Sequence, residues 1–323
     1  MKWLYIESNY TGILFHINGT GQNNIQLDHV VVTKSSIGLH IQAHSKQSHI
    51  AVTNSSFYNN CETGIRLEVA DNTSGTFLLD SSHFSNNSGI LGASVQAVIY
   101  GYAMTVGIAN CISITISDCT FSNNEGSGLA LFDSRVNFHG VNNFSNNTAY
   151  RGGGIVMYAN LYSYIYLMPD ARLNFIRNNA STGGAIFVEQ NVLTLGSDAL
   201  TVTSCFYQLS PSNVAEPVQH FYFENNSASV AGSVLYGGAT EGCLIEGTTI
   251  DSQYSFLNIS KFVDQSGLSV ISSDPLRVCF CVSNTVPDCS QMVKSMSVRP
   301  GAPVTLPLAL AGQHNNLTTG IIN

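Results

Sequence analysis

Three histidines within ten residues, His40, His44 and His49, and a set of aspartates, Asp28, Asp71, Asp80, Asp118, Asp133, Asp170 and Asp198, are the side chains best suited to metal or acid–base chemistry. Clustered imidazoles can hold a transition metal. Two carboxylates facing each other across a glycosidic bond can serve as acid and base. The spacing supports neither chemistry directly. The histidines straddle a boundary between structural units, so surface placement is the commoner explanation. The aspartates stand singly, without an NTD or DD pair. Arg66, Arg135, Arg151, Arg172 and Arg177 have no acidic cluster beside them that could hold calcium for a lyase. No catalytic, cofactor-binding or metal residue is assigned, and the residues lean away from an enzyme.

Two further groups could act through recognition or covalent bonding. Tyr162, Tyr164 and Tyr166 alternate in LYSYIYL, so a strand would put all three on one face, where aromatic rings can stack on sugars. The alternative is that the row covers an edge or fills a core. Eight cysteines form an even set. Cys279 and Cys281 form a CFC run followed by Cys289, which favours a disulfide from Cys289 to one of the pair. A structural zinc site would need a second matching knuckle. Cys205 and Cys243 bracket the longest insertion and are the other candidate pair, while Cys119 suits a small buried side chain.

The elements that would position these groups are written in a repeated phrase. An aromatic is followed three residues later by asparagine and then by glycine ahead of an aliphatic run. The aromatics are Phe57, Phe84, Phe121, Phe144, Phe175 and Phe223. The asparagines are Asn60, Asn87, Asn124, Asn147, Asn178 and Asn226, and the glycines are Gly64, Gly92, Gly128, Gly152, Gly183 and Gly232. The phenylalanine intervals are 27, 37, 23, 31 and 48 residues, a solenoid pattern with insertions in its turns. Alternating runs such as Ile114-Thr-Ile116 read as half-buried strands, and the shortest interval leaves no room for a crossover helix.

One phrase per coil of a parallel β-helix is therefore expected, with roughly eight to ten coils. Coils stacked about 4.8 Å apart would align phenylalanines in an inward ladder. Asparagine would mark a left-handed corner while its amide bonds both neighbours, and the glycines would supply positive φ and close approach. A weaker coil, from Ile25 through Ser35 and Gly38 to Ile41, precedes the six. The expected organisation is a flank or incomplete coil over 1–24, the β-helix over 25–272, a Cys-rich connector over 273–290 and truncated β-sandwich strands over 291–323. The alternation Val304, Leu306, Leu308, Leu310 supplies one of those last strands.

The formal net charge of −8 argues against nucleic acid as a partner. No run is apolar over the ~18 residues that a membrane-spanning helix needs. The amino terminus lacks a signal peptide's apolar core, so the chain is expected to be intracellular or a fragment of a longer protein, and the cysteines favour the fragment. Asn-x-Ser/Thr occurs at Asn9, Asn18, Asn54, Asn72, Asn86, Asn143, Asn146, Asn179, Asn225, Asn258 and Asn316, a modest excess over chance. Asn86, Asn146 and Asn225 stand beside the ladder asparagines and could be glycosylated only if that position faces outward.

The pairing of FxxN with GGA-aliphatic, clearest in FIRNNASTGGAI, resembles the repeats of chlamydial polymorphic outer-membrane proteins. The order FxNN repeats, Tyr236-Gly-Gly to Cys243, SSDPLRVCFCVSNTVPDC and PGAPVTLPL is similar to large β-helix proteins of sponges and cnidarians. The resemblance covers roughly residues 25 to 312 and implies a right-handed β-helical surface ectodomain without known catalytic residues. The expectation is an all-β, right-handed, single-stranded parallel β-helix of pectin-lyase-like type, with a disulfide-bearing segment and the start of a β-sandwich. Its expected role is noncatalytic adhesion, recognition or structural display at the cell surface, with glycans or other surface proteins as partners. The alternative is a polysaccharide lyase or hydrolase of the same fold, although His139-Gly140 lacks the first glycine of the GHG found in polygalacturonases.

Overall fold

The computed structural model describes residues 2–45, 47–70, 74–89, 95–100, 113–132, 134–159, 164–190, 207–209, 220–237, 271–272, 277–280 and 308–311. Those residues are all-β, and no helix among them is long and apolar enough to cross a membrane. They form a parallel β-solenoid of about six turns. Six turns carry the full phrase. The weaker preceding coil extends the same sheets, and Ile271–Ser272 joins one of them after Gly237.

Each coil lays down three strands. The coil of Phe57 runs Gln47–Thr53, Ser56–Tyr58 and Thr63–Ala70. Strands of the first and second kinds form one wrapped sheet, because the 12-residue strand Gln22–Thr33 bends from one face to the next. Its first half pairs with Gln47–Thr53 and its second with Ser56–Tyr58, and the bend is His29 at φ 56°. Strands of the third kind form a nine-stranded sheet, and Thr148–Arg151, Asn179–Thr182 and Ser227–Ala231 make a short extra one. A separate antiparallel pair joins Arg277–Phe280 to Leu308–Ala311, the latter being part of the alternation read from the sequence.

The core is set by register. Phe57, Phe84, Phe121, Phe144, Phe175 and Phe223 pair in sequence along one column. Their rings stack with centroids 4.7–5.3 Å apart and are at most 2% exposed. Strand separation dictates that spacing, so the rings stack nearly face to face rather than in the edge-on geometry that free rings often choose. Val32 occupies the same station in the weaker coil, where it pairs with Phe57.

The asparagine ladder runs beside the rings. Asn124 shows the full pattern: its Nδ2 donates to Asn147 Oδ1 at 2.8 Å and to Phe84 O at 3.4 Å, and its backbone N donates to Asn147 Oδ1 at 3.1 Å. In turn its Oδ1 accepts from the backbone N and Nδ2 of Asn87 at 3.0 and 3.2 Å. Both amide hydrogens and both lone pairs are thus satisfied, as burial in a low dielectric demands. Ser35 ends the column, with its N donating to Asn60 Oδ1 at 3.0 Å.

The left-handed corner falls one residue earlier than expected. Asn59, Asn86, Asn123, Asn146 and Asn225 have φ between 52° and 56°, as does Arg177, while the ladder asparagines do not. One residue cannot both turn the chain outward and aim its amide along the axis, so the phrase divides these jobs between consecutive positions. The glycines divide likewise. Gly152, Gly183 and Gly232 take positive φ, whereas Gly128 sits where a Cβ would lie 2.9 Å from both Gly154 O and Phe144. Gly92 lies outside the described residues.

Candidate recognition surface

Side chains on the outer side of the nine-stranded sheet come together through register alone. Leu39, Ile65, Leu129, Ile155, Ile186 and Leu235 point into the core, so their neighbours along each strand point out. One outward column pairs His40 with Arg66, and further along pairs Ala130, Val156, Phe187 and Tyr236. A second pairs His16, Gln42 and Glu68, and further along Phe132, Tyr158 and Glu189. The face is therefore polar at its amino-terminal end and aromatic at the other, where Ala130, Val156 and Phe187 are buried as a small second apolar cluster and Phe132, Tyr158 and Tyr236 pack half-buried against it.

At the polar end, Glu68 Oε2 accepts from Gln42 Nε2 at 3.0 Å and lies 3.2 Å from His40 Nε2. Gln42 Oε1 is 3.0 Å from His16 Nδ1, and the ring of His16 stands 5.5 Å from that of His44. Beside them Glu62 accepts from Ser36 Oγ at 2.9 Å and lies 3.6 Å from Arg66. At the aromatic end, Phe132 stacks on Tyr158 at 4.7 Å and Phe187 on Tyr236 at 5.5 Å. The Arg151 guanidinium lies 4.9 Å over the Phe187 ring and donates to Glu189 Oε1 at 3.1 Å. Desolvation by burial pushes the Tyr158 hydroxyl above its usual range.

The histidines of the sequence do not converge. His40 joins this face, His44 lies in the turn beyond it, and His49 sits on the first strand of the next coil with Nδ1 3.1 Å from Thr76 Oγ1. Among the described residues, no group of three or more His, Cys, Asp or Glu side chains could hold a metal. Tyr166 lies between core residues Ile165 and Leu167 and so faces outward, half-buried, on the wrapped sheet. Tyr162 and the side chain of Tyr164 lie outside the described residues. So do Cys205, Cys243, Cys281, Cys289 and the side chain of Cys279, and with them the disulfide expectations.

Four of the scattered aspartates gather on one corner, between the first and second strands of each coil. Asp28 and Asp80 both pair with Thr53, from coils on either side. Hydrogen bonds from Asn54, Thr53 and His29 hold the Asp28 carboxyl down at about 2. Asp118 Oδ1 accepts from Val141 N at 2.8 Å, and Asp170 Oδ2 from Gly140 N at 3.2 Å. Gly140, at φ 55°, has no room for a Cβ because the Asp118 carboxylate lies against it. These carboxylates cap corner backbone and neighbouring side chains rather than flank a shared space.

A second ladder at this corner has no counterpart in the sequence reading. Val30 N donates to Ser55 Oγ and Ser55 N to Ser82 Oγ, each at 3.1 Å, and Cys119 N donates to Asn142 Oδ1 at 3.0 Å. Cys119 takes the serine station, with its thiol donating to Ser117 O at 3.1 Å. The signal lay two residues before each phenylalanine, but varied side chains fill that position. No protein-family model, curated protein or solved structure matches the chain.

Proposed function

We propose that the chain is a noncatalytic extracellular or cell-surface ectodomain for adhesion, recognition or structural display. In this reading the solenoid is a right-handed, pectin-lyase-like β-helix of the kind its repeats resemble. The observation that carries the proposal is the outer side of the nine-stranded sheet, where a polar end continues into half-buried Phe132, Tyr158 and Tyr236 and the Arg151–Glu189 pair, set around the buried Val156 and Phe187. Arginine and tyrosine on a flat, preformed sheet are groups that dominate recognition surfaces. An extended partner, a glycan chain or another surface protein, matches the shape of a face built from stacked strands. The corner aspartates add support by capping their own coils, and Asp28 is displaced in the direction opposite to that of a general acid at neutral pH.

Two experiments test the proposal. Antibody to the chain should label intact, unpermeabilised cells of the source organism, and labelling only after permeabilisation counts against the surface role. The purified chain should bind members of a glycan array or a defined surface protein, and Arg151→Ala with Tyr158→Ala should weaken that binding at least tenfold. Release of new reducing ends or unsaturated sugars from a polysaccharide would replace this reading with the lyase or hydrolase.

A further inference from the structure

The left-handed corner after each phenylalanine is a ridge of outward asparagines. Asn86, Asn146 and Asn225 lie on it, are exposed, and have φ of 52–53°. Each is followed by a buried ladder asparagine and then by Ser88, Thr148 or Ser227. The corner turns the first and third residues of the triplet toward solvent while the middle one enters the ladder; Thr148 and Ser227 are exposed and Ser88 partly so. The column of corner residues runs Asn59, Asn86, Asn123, Asn146, Arg177, Asn225, so the three acceptors recur at every second coil. Two strand separations place them roughly 10 Å apart along the ridge.

We propose that Asn86, Asn146 and Asn225 carry N-linked glycans, making this corner a glycan ridge; the proposal rests on the secretory reading given above. Transfer forms a bond from Asn Nδ2 to C1 of a sugar on a lipid-pyrophosphate oligosaccharide donor. The amide nitrogen loses one proton, and the lipid pyrophosphate leaves. The folded coil accommodates the product because the acceptor residues are exposed and outside both ladders; Asn225 Nδ2 donates to the neighbouring, half-buried Glu224 Oε1 at 3.4 Å, a contact within the same corner. Asn143 is the internal contrast. It has the same Asn-x-Ser signal but lies half-buried within Val141–Ser145, between Thr120 and Asn174 in register, with its Oδ1 accepting from Asn174 Nδ2 at 2.8 Å. A sugar there would displace a neighbouring strand's side chain. Glycans on the ridge would screen one corner and leave the outer side of the nine-stranded sheet as the approach for a partner.

The test expresses the full chain behind a heterologous signal peptide in a mammalian cell line, so that the host sets the compartment. Glycans are then removed with peptide-N-glycosidase in H2 18O and sites are mapped by mass spectrometry. Asn86, Asn146 and Asn225 should convert to labelled aspartate in the secreted protein, and Asn143 should not. Ser88→Ala, Thr148→Ala and Ser227→Ala together should remove three glycan steps from gel mobility while leaving the corner asparagines in place. Empty ridge sites, in secreted or retained chain, overturn the proposal, as does equal occupancy of Asn143 in the secreted pool. Surface labelling of the native organism's cells decides the natural compartment separately, so a failed ridge and a failed surface role are told apart.

Discussion

Individual residues in this solenoid carry divided duties, and the departures from the phrase are the most informative. Arg177 takes the left-handed corner that asparagine fills in five other coils, and its bulky side chain gains nothing there that the backbone requires. Arg177→Asn should stabilise the protein by about 0.5–1 kcal/mol, seen as a higher urea midpoint at an unchanged slope. Cys119 fills a serine station, and burial raises its thiol to about 12. Maleimide at pH 7 should therefore modify exposed Cys61 and leave Cys119 untouched until the chain is unfolded. Cys119→Ser should fold with a stability change within about 1 kcal/mol, because Ser55 and Ser82 already make the equivalent bonds. Asp28 titrates lower in the folded state, chiefly through the Asn54 hydrogen bond, so its stabilising contribution is complete above the unfolded value of 3.8 and is lost as pH falls through about 2. In Asp28→Asn, the stability loss on going from pH 4 to pH 2 should be smaller than in the parent, and an identical acid limb would remove Asp28 from that role.

The strands and ladders hold what the residues begin. A ladder asparagine joins three coils, so Asn124→Ala removes the oxygen that accepts from the Asn87 backbone N and Nδ2, and the amide hydrogen that Phe84 O accepts, in a dry interior. That substitution should cost about 3 kcal/mol or more, whereas Asn123→Ala, one residue away, should cost about 1 kcal/mol through the corner alone. Equal losses in chemical denaturation would contradict the division of labour. The period-two alternation of Ile114-Thr-Ile116 and the recurring Phe57-type phrase made both strands and ladder legible in the sequence, because each is a local requirement repeated at every coil. The split between corner and ladder asparagines was not legible, since two identical residues stand side by side. The Ser55–Ser82 ladder was hidden because Cys119 and Asn142 meet the same need with other atoms.

At the scale of the whole molecule, function depends on which coils lie next to each other, and irregular insertions conceal that from a linear reading. Gln42 meets Glu68 across 26 residues and Arg151 meets Glu189 across 38, distances fixed by turn length rather than by any motif. The outer face of the nine-stranded sheet was accordingly invisible until register assembled it, and the same is true of the corner aspartates. Coils with common stations should be interchangeable. Deleting residues 121–143 would bring the Phe144 station onto Phe84, removing one 23-residue coil in register. The shortened chain should give a monodisperse protein with an unchanged far-ultraviolet circular dichroism shape. Collapse into aggregate would show that coil order matters beyond nearest neighbours.

The amide ladder also has a grain. Between asparagines, Asn60, Asn87, Asn124 and Asn147 each aim a backbone and a side-chain donor at the side-chain oxygen of the following coil's asparagine, while the other amide hydrogen reaches back to a main-chain carbonyl of the preceding coil. While the chain is being synthesised, the newest rung therefore holds two hydrogens waiting for an oxygen not yet made. The pile closes as a one-way zipper from the amino-terminal end, and an incoming coil that arrives upside down finds donors facing donors.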